Sequence, residues 1–262
     1  ISLILIAIYY YNRENYSIEG FEQQKALVFK EQDEIYDDFY SSVYDKLKKN
    51  NSKLEYEIST IINNTSLDKN SKLLDIGSGT GSHIKAYKHR SIDAVGLDKS
   101  KYMIKLSKEK HPECDFMYGD GDNLNIFEPH NFSHITILNF TIYEFKNKET
   151  VIRNCYEWLK PGGSLVLHLV NRNKFNPMLK MADPLNILHN DKSNKNEKKS
   201  NLIKFKNFDY KNIYTLEKGI GTIKETFKDK NNKTRINTLK LDLTSIKRIV
   251  NLVKKEGFIQ DV

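Results

Sequence analysis

Cysteine is scarce. Cys114 and Cys155 are the only two among 262 residues, which excludes a disulfide-stapled fold, and neither has partners at metal-ligand spacing, so no metal site is expected. They read as free thiols in a reducing compartment. Long hydrophobic runs are also missing. The apolar stretch "ISLILIAIYYY" at residues 1–11 is half of the roughly 20 residues that span a bilayer. Tyr9, Tyr10 and Tyr11 sit where an interfacial aromatic belt would. Because the chain opens on Ile1 rather than methionine, the run is expected to be the remnant of a membrane anchor, with a buried segment of the domain as the alternative. The expected location is therefore membrane-anchored or cytoplasmic.

Positive charge is unevenly supplied. The net charge is +8, yet residues 171–262 carry 21 Lys and Arg against 10 Asp and Glu. Such a surplus can attract nucleic acid or an anionic membrane. Lysine dominates it, and the arginine forks and interleaved aromatics that track phosphates are sparse, which makes a solvated lysine-rich surface the stronger reading and nucleic acid a weaker one.

Residues 12–32 are polar and without a clear period, and read as a linker. From Asp33, the residues Ile35, Phe39, Val43 and Leu47 recur every fourth position, with Tyr36, Tyr40 and Tyr44 on a neighbouring face, which predicts an amphipathic helix. A second helix is expected at about 52–64. Short strands and helices then alternate from "KLLDIG" to "GSLVLHLV", several strands being apolar on both faces. That pattern predicts a parallel, doubly wound sheet covered by helices on both sides. At its first turn "KLLDIGSGTGSH", residues 72–83, places Gly77, Gly79 and Gly81 at every second position. Glycines so close together weaken any regular element, and at the carboxyl edge of such a sheet they let backbone turn sharply and approach a ligand. The G-x-G-x-G spacing by itself does not select the ligand.

Taken in order, "LLDIGSGTGSH", "AVGLDKS", "FMYGDGDNL", "ITILNFTIYEF" and "WLKPGGSLVLHLV" resemble the successive motifs of the class I S-adenosylmethionine-dependent methyltransferases. The resemblance covers about residues 33–172 and returns in "IVNLVKKEGFIQDV". It implies a Rossmann-like α/β fold and S-adenosyl-L-methionine as cofactor. It also implies site residues: Asp98 accepting from the ribose hydroxyls, Asp120 from the adenine amino group with Gly121 and Asp122 beside it, and Asp75 orienting the glycine loop. Ser78 and Lys99 complete this set, and Tyr36 and Tyr44 match positions that close over the methionine end. Near the methyl group the resemblance points to Asn139, Thr141 and Tyr143, with Tyr143 or Glu144 to orient or deprotonate a substrate. Tyr143 and Asn139 are the catalytic candidates. "NFTIYEF" lacks the N/D-P-P-Y/F/W of base-modifying amino-methyltransferases, and no Pro-Cys nucleophile occurs. His168 reads as a core histidine, and His130 and His134 as surface ones.

Beyond the fifth strand, "HNDKSNKNEKKSN" is low in complexity. Residues 203–243 alternate apolar and polar residues around the turn "KDKNNKT", which predicts an antiparallel insertion of about three strands; the resemblance implies that it caps the substrate or forms a homodimer contact. The resulting division is 1–11 anchor remnant, 12–32 linker and 33–262 methyltransferase domain. After "SIKRIVNLVKKEGFIQDV" no residues remain for the last antiparallel strand of the family, so a six-stranded or frayed sheet is expected. Three functions follow. The first is methyl transfer to nitrogen or oxygen of a small molecule; the others are a macromolecular methyltransferase using the basic region, and a cofactor-binding partner without catalysis.

Overall fold

The computed structural model describes residues 25–48, 50–172 and 199–259. The apolar run at 1–11 and the low-complexity stretch up to residue 198 lie outside them. Among the described residues no helix is long and apolar enough to cross a membrane.

The described chain begins with strand β1 (Leu27–Glu31), a 3₁₀ turn and helices α1 (Asp38–Lys48) and α2 (Asn51–Thr65). The alternating part follows: β2 (Lys72–Ile76), α3 (Ser82–Lys88), β3 (Asp93–Asp98), α4 (Lys101–Lys110), β4 (Asp115–Tyr118), β5 (Phe132–Ile137), α5 (Lys148–Trp158) and β6 (Leu159–Leu167). Then come β7 (Lys199–Lys204), β8 (Phe208–Glu217), β9 (Ile220–Asp229), β10 (Thr234–Asp242) and α6 (Ile246–Lys255).

The central sheet runs β4-β3-β2-β5-β6, with all its pairings parallel. In β2, the adjacent residues Leu73 and Leu74 are fully buried in two different clusters, Leu73 with Ile58, Ile84 and Tyr87, and Leu74 with Ile135, Ile142 and Trp158. Successive strand residues point to opposite faces, so both faces of this sheet are covered. Polar side chains set the helix starts: Asn50, Ser100, Asn147 and Ser245 accept from the backbone N–H of the third residue beyond them. The chain leaves β2 toward β3 and β4, then returns on the other side to β5. That reversal opens a crevice at the carboxyl ends of β2 and β5.

The remaining strands form a second sheet, β1-β10-β9-β8-β7. Three expectations change here. The insertion has four strands rather than three, because it starts upstream of residue 203 and the chain turns back after Lys204: Phe205 N–H bonds to the Phe208 carbonyl at 2.9 Å, closing a hairpin between β7 and β8. Leu27–Glu31 is not linker but an edge strand paired in parallel with β10. Ladder bonds to a distant segment hold it, which local polarity does not reveal. Helix α1 starts at Asp38 rather than Asp33, with a 3₁₀ turn over Gln32–Ile35 before it.

The inner face of this second sheet packs over the crevice. Tyr210 and Phe227 cluster with Phe39, Tyr40 and Val43 around α1, while Tyr214 and Ile223 join Tyr143 and Phe145 behind the turn after β5. The exposed lysines 211, 224, 228 and 240 alternate with these inward residues and face away from the crevice. At the far end no strand forms over Gly257–Ile259, and residues 260–262 lie outside the described range. The central sheet thus has five strands among the described residues, not six.

Candidate active site

The turn after β2 builds one wall of the crevice. Gly77 and Ser78 both donate backbone N–H groups to the Leu97 carbonyl of β3, at 2.8 and 3.1 Å. The three glycines differ in what they face. A Cβ on Gly81 would collide with the Phe116 ring, and one on Gly77 would meet Thr141 Cγ2 at 2.5 Å, so these two permit close packing of protein on protein. Gly79, at φ +55°, faces open space, with only Tyr44 Cε1 at 3.8 Å. Its backbone is the part of the loop a ligand can approach.

A single cavity collects residues from five segments. It is lined by Tyr36 and Tyr44 from the first helical region, Ile76, Gly77 and Gly79 from the loop, Leu97, Asp98, Lys99 and Met103 from β3 and α4, Gly119, Asp120 and Gly121 after β4, and Asn139, Thr141, Glu144 and Phe145 after β5.

Asp98 closes the end of β3. Its Oδ2 accepts from Gly79 N–H and its Oδ1 from Ser100 N–H, both at 2.8 Å. Each oxygen keeps a free acceptor direction. Burial raises its pKa against these two bonds. Asp120 is also raised, by burial and then by the neighbouring Asp122. Lys99 pairs with Asp33 at 2.5 Å.

After β5, Glu144 brings a third carboxylate to the cavity. Tyr36 donates its hydroxyl to both Glu144 oxygens, at 3.0 and 2.9 Å. Burial pushes the Glu144 carboxyl up to about 7, although the Tyr36 bond and Lys99 oppose the rise. Burial likewise raises the Tyr36 and Tyr44 hydroxyls, so both remain neutral donors. Three carboxylates around largely apolar walls make a pocket that favours positive charge.

Several residues singled out by sequence lie elsewhere. Tyr143 is buried in the core, its hydroxyl accepting from Val170 N–H at 3.0 Å. The turn aims its neighbour Glu144 into the cavity instead, which corrects the catalytic reading of Tyr143. Asp75 is buried beneath the loop, accepts from Thr136 Oγ1 at 2.7 Å and has its pKa raised to about 6 by burial. Ser78 is buried against Gly96, and Asp122 is absent from the lining. His134 is buried rather than superficial, its ring bonding the Thr65 carbonyl at 2.8 Å. Met103 and Phe145 line the cavity without having been anticipated. Met103 occupies the first turn after the Ser100 cap, a position the end of β3 directs toward the crevice.

Residues 74–167 match the family model described as a methyltransferase domain. A demethylmenaquinone methyltransferase of Renibacterium salmoninarum is 31% identical over 106 residues, which are 40% of this chain and 44% of the relative. The chain thus spans less than half the length of the curated relatives it first matches. Among solved structures, the sugar N-methyltransferase KedS8 of Streptoalloteichus superposes with a TM-score of 0.61 at 14% identity, covering 83% of each chain. The SAM-bound amino pentose methyltransferase CalS10 of Micromonospora echinaspora does so with a TM-score of 0.60 at 16% identity, over 83% of this chain and 87% of that one. Over residues 74–167 the chain carries a methyltransferase domain, similar to those of the class I S-adenosylmethionine-dependent methyltransferases.

The cavity fits the cofactor of that class. Gly79 leaves a cradle that a side chain would fill, Asp98 keeps free acceptor directions between two backbone donors, and the acidic lining suits a sulfonium.

Proposed function

We propose that this chain is a methyltransferase that uses S-adenosyl-L-methionine to methylate an amine nitrogen of a small molecule. The observation that carries the reading is Glu144, a half-buried carboxylate held by the Tyr36 hydroxyl in the same cavity as Asp98, its pKa pushed up to about 7 by desolvation. When bound, the cofactor supplies a methyl group on a cationic sulfur with a neutral leaving group. In this reading Asp98 accepts from the ribose hydroxyls, Asp120 from the adenine amino group, and Tyr44 and Asn139 flank the amino-acid end.

Methyl transfer needs a nucleophile held in line, and a base only where the nucleophile carries a proton. An alkyl ammonium, with a pKa of about 10, must shed one before its lone pair is available. Glu144 attracts the cation and takes that proton, while Tyr36 fixes the carboxylate's orientation. A hydroxyl acceptor would gain little from the attraction, which favours nitrogen over oxygen. The position of the exposed lysines, away from the cavity, supports a small acceptor over a macromolecular one.

The test is release of S-adenosylhomocysteine with a panel of small primary and secondary amines, compared with alcohols of the same skeleton. Turnover with amines that Glu144→Gln slows by about 10²–10⁴ is the expected result. Transfer only to RNA, protein or alcohols, or cofactor binding without transfer to any acceptor, would overturn it.

A further inference from the structure

The turn that brings Asn139, Thr141 and Glu144 to the cavity is strained. Asn139 and Phe140 are consecutive non-glycine residues at φ +49° and +69°, a left-handed pair that local sterics disfavour and that persists only where the surroundings enforce it. The enforcing contacts come from outside the cavity. Lys53 of α2 donates to Asn139 Oδ1 at 2.6 Å, and the Phe140 ring lies against the His168 ring with centroids 4.3 Å apart. Both supports converge on Glu57, whose Oε1 lies 2.8 Å from Lys53 Nζ and 3.5 Å from His168 Nδ1. The other Glu57 oxygen meets His83 Nε2 of α3 at 3.2 Å. One carboxylate therefore ties α2 to the helix after the glycine loop and lies beside the chain leaving β6. Burial pushes Glu57 up, but the bonds from His83 and Lys53 hold it below the usual range, so it is charged at neutral pH.

From this arrangement we propose that Lys53 and Glu57 are positioning residues, which hold the Asn139–Phe140 bend so that Asn139, Thr141 and Glu144 stand where the ligand needs them. Neither lines the cavity, and Lys53 is 41% exposed. Its bond adds little to global stability, as expected of a solvent-facing pair; its effect lies in fixing the Asn139 amide. Thr141 packs directly against Gly77, so any relaxation of the bend shifts the wall of the cofactor cavity. The role in ligand binding rests on the function proposed above; the bracing of the bend does not.

Two readouts separate these. In ligand-free protein, hydrogen exchange of a peptide covering residues 139–145 should be several-fold faster in Lys53→Met than in wild type and near wild type in Lys53→Arg. Calorimetry with S-adenosylmethionine should show about tenfold weaker binding for Lys53→Met, the size expected for losing one charge-assisted hydrogen bond. The double variant Lys53→Met/Asn139→Ala should bind no more weakly than Asn139→Ala alone, because Lys53 acts through Asn139. Should Lys53→Met fail to fold, Glu57→Gln enters the same cycle, since it keeps the side-chain shape and removes the charge. Unchanged exchange in the Met variant, or strictly additive losses in the cycle, would overturn the brace. Wild-type protein without affinity for S-adenosylmethionine would refute the function and leave the exchange result to decide the brace.

Discussion

Asp98 and Glu144 share a cavity, and the function proposed above gives them different steps, which substitution should separate. If Asp98 accepts from two ribose hydroxyls as proposed, Asp98→Ala should weaken S-adenosylmethionine binding by about 1.5–3 kcal/mol in calorimetry. Equal affinity would refute the ribose assignment. Glu144→Gln should leave that affinity within a few-fold yet slow transfer by about 10²–10⁴, the usual worth of a positioned base. Because burial lifts Glu144 to about 7, the wild-type rate should rise with pH through that value, and the Gln variant should lose this limb. The glycines divide in the same way. Gly79→Ala should impair cofactor binding while the fold survives. Gly81→Ala should lower stability by about 1–3 kcal/mol, read by urea denaturation, because its Cβ strikes Phe116.

Among the elements, α1 depends most on contacts that sequence does not announce. Its core face, with Phe39, Val43 and Leu47 buried, follows from the four-residue period, and the parallel strands follow from short apolar runs punctuated by glycine. The acids at the ends of β3 and β4 were legible for the same reason: a strand end in an α/β alternation is a defined place. Other features were hidden because they are relations between distant segments. Glu144 is distinguished from Tyr143 only by the direction of a turn with two left-handed residues, and β1 only by its ladder to β10. Ser100 shows how such relations tie α1 to the site: it caps α4 through Met103 N–H and donates its hydroxyl to the Tyr36 carbonyl at 2.5 Å. Ser100→Ala should cost about 1 kcal/mol for the lost cap. It should also weaken cofactor binding, since Tyr36 loses its anchor; a stability loss with unchanged affinity would mean that the tie to Tyr36 is inert.

For the molecule as a whole, the buried carboxylates set a pH dependence. Glu144 and Asp75 bind protons more tightly folded than unfolded, with folded values of about 7 and about 6. The folded state therefore holds more protons over this range, and stability falls as pH rises from the ordinary carboxylate range through those values. Their contribution is fully present below the unfolded pKa. Thermal melts from pH 5 to pH 8 should show the decline, and Glu144→Gln should flatten its upper part. A cationic ligand prefers the ionised pocket, so the rise in melting temperature caused by S-adenosylmethionine should be larger at pH 8 than at pH 6. Equal shifts at both would argue against a carboxylate-lined cation site.

The pairing of β1 with β10 joins residues 27–31 to residues 234–238, and this imposes an order on assembly. During synthesis β1 emerges early and has no strand to meet until some two hundred residues later, so the second sheet closes last. Contacts of such long separation form slowly, and chains of this size commonly fold in stages. The central sheet has no such wait. Trp158, the chain's single tryptophan, is fully buried there, whereas Tyr36 and Tyr44 reach the cavity from the segment that follows β1. On refolding, tryptophan fluorescence should recover before the capacity to bind S-adenosylmethionine does. The cavity would then be the last part of the protein to mature, and the interval between the two signals measures how long the chain exists folded but unable to bind.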